Sequence, residues 1–577
     1  MRWSALAVLL LVGCSDENID KSQMEVVRRG VELRAASLAA QFVDATNAAH
    51  VSFVHRNGMT PRKLLPETLG SGVGLFDYDG DGIIDIWFVN GRSWTREGPA
   101  TPSALYRGLG GGRFRDVSSE VGLTFERYGM GCCMADVDAD GDEDVFVTAV
   151  DGNVFLRNEE GRRFVDATLE AGLASRTWTT ADLGPVPEWG TAAAWFDADG
   201  DGDLDLFVSN YCRWTPELEI FTTLDGVEKV FSTPDRYDGL PCRLFLNDGH
   251  GRFAEGPGRE ELERHLGKAL GVALWDFDDD GLLDVVVAND TRPNFLFMNR
   301  GGGHFDEVGF QAGIAYDTHG RARAGMGVDV AHLRSVGGPV VSIGNFAQEP
   351  LSFFAWRQES RGSLPAFQDV ARSWGLEGAA FAPLTFGLCY ADCDLDGWQD
   401  LVVVNGHIEP DIARYVRGES YAQPILYFAG GADGFVDVSD RSGAALAEPR
   451  VARGLAHGDL DGDGDIDLVV TTNGGPALVL RNDLASSVGG RHLRIRLRGE
   501  RGNPRAIGAR VTLDWAGHRQ VRTVRTGSSY VSQSELTLTF GLGTREGSGT
   551  VSVRWPRAGS TTHAFTHETR ELTLEAP

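Results

Sequence analysis

The chain has 577 residues, of which 82 are acidic and 54 basic, for a formal charge of −28. That balance, with no basic stripe, excludes a nucleic-acid-binding protein, whose affinity rests on neutralised phosphates. Beyond a short apolar run near the start, no stretch is long and apolar enough to cross a bilayer as a helix.

At the N-terminus, Arg2 precedes an apolar run from Ala5 to Val12 that is too short to span a membrane. It ends in Leu11-Val12-Gly13-Cys14, which resembles a bacterial lipobox. The resemblance implies cleavage before Cys14, lipidation of that cysteine, and export to the outer membrane or cell surface, since Ser15 does not retain the protein at the inner membrane. Residues 15–48 are polar, then Ala-rich, and predict a tether with a helical portion.

A nine-residue acidic loop then appears six times. Its copies are Asp77, Asp79, Asp81 and Asp85; Asp136, Asp138, Asp140 and Asp144; Asp197, Asp199, Asp201 and Asp205; Asp276, Asp278, Asp280 and Asp284; Asp392, Asp394, Asp396 and Asp400; and Asp459, Asp461, Asp463 and Asp467. Each has carboxylates at positions 1, 3, 5 and 9 and glycine at position 6. Four carboxylates packed together repel one another unless a cation sits among them. Calcium, which takes six to eight oxygens in flexible geometry, suits such a loop better than magnesium. An EF-hand would need a bidentate Glu at position 12, where Phe88 and five valines stand instead. The runs that follow, such as IDIWFVN and LDVVVAN, predict buried strands. About six calcium ions are therefore expected, each held between two strands.

The loops start at 77, 136, 197, 276, 392 and 459. The long gap contains GMGVDVAHLRSVGGPVVSIGN at 325–345, in which Asp329 aligns with position 1 and the other ligands are missing. This predicts a seventh, metal-free repeat. Each repeat reads as four short strands punctuated by turns, which predicts an all-β fold, a seven-bladed β-propeller. The last repeat lacks a fourth strand. HVSFVHR at 50–56 is the expected substitute, closing the ring from the N-terminal side.

From Ser486 onward the balance inverts, with 14 basic against 7 acidic residues. This tail docks on the acidic propeller, faces an anionic surface, or is simply solvated. Seven cysteines are present. Cys212 and Cys242 flank a long insertion in the third repeat and are a candidate disulfide, worth about 3–4 kcal/mol by loop entropy in an exported protein. Cys132, Cys133, Cys389 and Cys393 read as buried thiols.

The acidic loops and segments such as LFLNDGHGRF resemble FG-GAP/VCBS repeats, the blades of integrin α-subunit propellers. The tail, with NPRAIGARVTL, GSSYVSQSE, FGLG at 540–543 and VRWP at 553–556, resembles the ASPIC/UnbV domain of bacterial relatives of cartilage acidic protein. The resemblance implies a secreted or cell-surface calcium-bound propeller. It also leaves the disulfide pairing open, because relatives carry cysteines within the insertion where this chain has Thr222 and Ser232. The expected organisation is a signal peptide and lipobox at 1–14, a tether at 15–48, the propeller at 49–485 and a small β-sandwich-like domain at 486–577.

No phosphate loop, G-x-S-x-G elbow or HExxH motif is present. His55, His407 and His457 are scattered, and Trp178, Trp189 and Trp214 are the candidates for a sugar platform. Three functions remain. The first is a lipid-anchored binding protein that meets a protein or glycan of the envelope. The second is an enzyme acting on a glycan in the propeller channel. The third is a structural subunit docked through its tail. A plugged channel would favour the binder over the enzyme.

Overall fold

The computed structural model describes residues 40–94, 101–180, 182–357, 364–484 and 491–577. Cys14 and the tether up to residue 39 lie outside the described residues. Among the described residues no helix is long and apolar enough to cross a membrane.

The fold is a seven-bladed β-propeller followed by a β-sandwich. Seven four-stranded antiparallel sheets succeed one another along the chain. Their inner strands are Val73–Phe76, Gly129–Ala135, Gly190–Phe196, Ala269–Trp275, Gly325–Leu333, Thr385–Ala391 and Ala452–Gly458. Each inner strand packs against the next, and the last packs against the first, which closes the ring. The inner and second strands are almost wholly buried on both faces, as their unbroken apolar runs require. Glycines let neighbouring inner strands approach. A Cβ on Gly271 would lie 2.6 Å from the Met326 carbonyl oxygen.

The predicted closing device exists, but a different strand supplies it. Phe42–Asp44 pairs with Leu478–Asn482 as the fourth strand of blade seven. FVDAT at 42–46 repeats FVDAT at 164–168, which begins in the outer strand of blade two. The propeller therefore begins near residue 40, within the stretch expected to be tether. Residues 50–56 instead bridge blades seven and one. His55 N–H donates to the Gly475 carbonyl at 2.9 Å, and the Phe53 ring stacks on Phe88 at 4.6 Å.

The C-terminal domain has one sheet of Leu538–Gly543, Arg491–Arg498 and Glu571–Glu575. The other contains His518–Thr523, Arg510–Trp515, Ser548–Arg554 and Ser560–Thr566. Alternate residues turn inward, among them Leu493, Ile495, Leu497, Val511 and Leu513, and form the core between the sheets.

The disulfide between Cys212 and Cys242 is not formed; both are free, buried thiols, as are Cys132, Cys133, Cys389 and Cys393. The reason is register. Cys212 bridges to Gly239, which leaves Cys242 three residues beyond it at the entry to the next strand. A reductant is therefore expected to leave the melting temperature unchanged, and thiol titration of the unfolded chain without reductant should find these six groups reactive. A fall of several degrees in dithiothreitol would show that a bridge exists after all.

Candidate metal centres

Each acidic loop joins the inner strand of a blade to its second strand, so all six lie on one face of the ring. Position 6 is glycine because the chain turns there with positive φ, from 84° at Gly82 to 105° at Gly141. Position 5 shapes the turn. Its carboxylate accepts the N–H of position 7 in every copy, for example Asp81 from Ile83 at 2.9 Å and Asp280 from Leu282 at 2.8 Å.

Position 9 has a role that spacing did not reveal. Asp85, Asp144, Asp205, Asp284, Asp400 and Asp467 are 0–1% exposed. In each, one oxygen accepts the N–H of position 2, and the other accepts an N–H within one residue of the end of the third strand. For Asp284 these are Phe277 and Asn299, both at 2.8 Å. The ninth carboxylate thus buckles the loop onto its blade while remaining near the cation position.

Oxygen atoms of positions 1, 3 and 9 lie within 4.8 Å of one another in the loops of Asp77, Asp197, Asp276 and Asp392, as do those of positions 1, 3 and 5 in the loop of Asp136. Several Asp-rich groups can therefore hold a metal ion. The fit is tested by the oxygens left over. Asp77 Oδ1, Asp136 Oδ1, Asp138 Oδ1, Asp276 Oδ1 and Asp278 Oδ1 are buried without a hydrogen-bond partner, an arrangement that costs free energy unless a cation meets them. The protein alone raises the proton affinity of Asp136, Asp138, Asp276 and Asp278 through burial. Burial pushes Asp85 and Asp205 up to about 8 and Asp136, Asp197, Asp276 and Asp459 up to about 6.

The basic tail docks on this same face. Arg505 bonds Glu143 at 2.5 Å and lies 3.9 Å from Asp77. Arg510 and Arg554 reach Asp276 at 3.4 and 3.3 Å, and Arg494 reaches Asp459 at 3.0 Å. For Asp77 and Asp276 the arginine takes Oδ2, and Oδ1 is the unpartnered atom. Blade five, the metal-free repeat, differs. Its Asp329 is 1% exposed and receives the Arg525 guanidinium at 2.5 Å, together with the Tyr390 N–H at 2.8 Å. An arginine supplies the positive charge that this blade lacks a loop to collect.

The segment that carries Arg525 continues into the channel. Thr526 exchanges hydrogen bonds with Trp195 N–H and C=O at 2.8 and 2.7 Å. Ser529 C=O accepts Val328 N–H at 2.9 Å, and its hydroxyl accepts Leu388 N–H at 3.2 Å. Gln533 pairs with the main chain of Val73 and Leu75, and its amide with both main-chain groups of Met134. Ser534 and Glu535 bond His457. From the other mouth, residues 57–70 enter as a second plug. Leu64, Leu65 and Leu69 are buried, and Arg453 donates to the Thr68 carbonyl at 2.9 Å. The plugs meet where the Tyr530 hydroxyl accepts Gly70 N–H at 3.4 Å. Two segments of the chain thus fill the channel, the arrangement expected to favour a binder over an enzyme acting there. His55 and His407 are buried beside this second plug, and burial lowers them to about 3 and 4. Trp178, Trp189 and Trp214 are also buried, 7% exposed or less, so they form no sugar platform.

A family model described as ASPIC and UnbV matches residues 499–577, and one described as FG-GAP-like repeat matches residues 77–147 and 136–208. Cartilage acidic protein 1 of Mus musculus is 24% identical over 538 residues, covering 88% of this chain and 74% of that protein. The Homo sapiens protein is 23% identical over 509 residues, covering 85% and 69%. Among solved structures, an N-acetylglucosamine-recognising lectin from Agrocybe aegerita aligns at 14% identity and a TM-score of 0.37, covering 70% of this chain and 87% of the lectin. BBS1N in complex with ARL6DN aligns at 10% and 0.41, covering 77% and 97%. At those scores neither structure informs the reading. The chain carries FG-GAP-like repeats and a C-terminal ASPIC/UnbV domain, and it is a homologue of cartilage acidic protein 1.

Proposed function

We propose that this is a calcium-stabilised binding protein of the cell envelope, anchored through lipidated Cys14, that recognises a protein or glycan partner. Six calcium ions occupy the six loops. The observation that carries the reading is the set of buried, unpartnered carboxylate oxygens on loops that brace the blades, beside a channel with no room for substrate. Each ion would be held by carboxylates of positions 1, 3, 5 and 9, and it would neutralise and fix the loop.

The partner surface is proposed on the opposite rim. There the blade-three insertion, residues 211–242, leaves the second strand at the end away from the metal loops. It buttresses the channel plug, with Glu219 accepting Leu65 N–H at 3.0 Å. It also exposes Phe221, Leu224 and Val227 at 64%, 55% and 77%. Exposed apolar side chains on a braced loop are the usual material of a protein contact. Phe221→Ser with Val227→Ser is expected to leave melting unchanged and to abolish capture of the partner that wild type retains from native envelope in calcium. Equal capture by the variant would exclude this rim.

A further inference from the structure

The ring of metal loops has one gap. Blade five joins its inner and second strands, Gly325–Leu333 and Gly338–Asn345, by four residues where the other blades have a full acidic loop. A cleft of about 420 Å³ opens there, between the loop of blade four, the hairpin of blade five and the C-terminal domain. The clefts beside Asp77 and Asp197 hold only about 40 and 20 Å³. The gap falls within the size range of small-molecule sites.

Its walls are of two kinds. Trp356 supplies the aromatic surface, while Trp275, 3% exposed, forms the floor with the Arg510 guanidinium over its ring. Trp356 is partly exposed and lies against Gly338, where a Cβ would come within 2.2 Å of its ring. The polar wall has Arg510, Arg519, His332 and Asp279, the last of which is not one of the four ligand positions of its loop. His332 Nδ1 is buried and finds no partner beyond its own main chain. The arginines bring no unpaired charge, since Arg510 is matched by Asp279 at 2.6 Å and Arg519 by Asp514 at 2.8 Å. A phosphate or sulfate would meet carboxylates here without a free cation to bind.

We infer that this cleft binds a neutral saccharide of one or two rings. Aromatic faces suit the C–H faces of a pyranose. Neighbouring guanidinium donors and carboxylate acceptors suit hydroxyl groups, which both donate and accept. The site lies on the metal-loop face, away from the proposed partner rim, and does not depend on it.

The test is saturation-transfer NMR of the full-length, calcium-loaded protein against glucose, galactose, N-acetylglucosamine, lactose and cellobiose, followed by calorimetry on any responder. At least one neutral sugar is expected to bind. Trp356→Ala and Arg519→Gln should each weaken it by about tenfold or more, with unchanged melting. Arg519→Gln keeps the test valid if the tryptophan variant fails to fold, because Arg519 is exposed. No transfer to any sugar, binding unaffected by Arg519→Gln, or binding of inorganic phosphate or sulfate in place of sugars would each overturn the proposal.

Discussion

Chelation with EDTA is expected to lower the melting temperature of the full chain by many degrees, and by more at pH 8 than at pH 5. At free calcium a hundredfold above Kd, each site contributes about 2.7 kcal/mol, so six sites contribute on the order of 15 kcal/mol. That rivals the whole stability of an ordinary domain. The pH dependence follows from the buried carboxylates. Without a cation, burial holds Asp136, Asp197, Asp276 and Asp459 at about 6 and Asp85 and Asp205 at about 8, all above the unfolded value of about 3.9. A group raised on folding stabilises the fold below its unfolded pKa and loses that contribution as pH rises through the folded one. The metal-free protein should therefore weaken steadily from about pH 4 to pH 8. Calcium competes with those protons and binds better as they leave. Thermal melts at pH 5, 6, 7 and 8, with calcium and with EDTA, check this. A gap between the two curves that stays constant or narrows as pH rises would contradict it.

The second large effect belongs to blade five. Asp329→Ala removes the partner of Arg525, whose side chain is only 15% exposed, and also the acceptor of Tyr390 N–H. Breaking a buried ion pair from one side costs about 3–5 kcal/mol, because the remaining charge is left uncompensated. Asp329→Ala with Arg525→Leu should recover part of that loss. Calcium separates this blade from the others. The cost at Asp329 is expected to be equal with and without chelator, whereas Asp77→Ala should be costly in calcium and much cheaper in EDTA. Denaturant midpoints of the four proteins under both conditions measure it. A cost at Asp329 that vanishes in EDTA would mean that blade five also holds a metal.

How far the sequence reached depended on the range of each interaction. The loops were legible because their carboxylates fall within nine consecutive residues and repeat six times. The silent copy at Asp329 was legible from spacing alone. The ring followed, since seven units of four strands have few ways to bury their faces. The closing strand was misplaced because VSFV has the stronger β-branched and aromatic pattern, while the short FVDAT at 42–46 declares itself only by identity with 164–168. The second role of Asp85 and its equivalents was hidden, because the N–H groups they bind in the third strand lie 14 to 42 residues away.

The plug was out of reach. GSSYVSQSE has neither helical nor strand periodicity, and Gln533 meets Met134 across a separation of 399 residues. Composition did show that the tail is basic, but not that its arginines pair with position 1 of the loops. That pairing gives the tail a function inside the molecule: it covers the metal face and fills the channel. The tryptophans expected as a sugar platform are instead buried, because in this chain the loops themselves pack. Trp94 stacks on Tyr128 at 4.5 Å, and Trp214 meets Trp189 at 5.8 Å.

Cations are proposed in six loops, with an arginine in place of the seventh. Native mass spectrometry of EDTA-stripped protein, titrated with calcium, counts them directly. Six ions per chain are predicted, with five for Asp77→Ala and still six for Asp329→Ala. A chain that takes up none, or seven with the seventh lost in Asp329→Ala, would contradict that proposal.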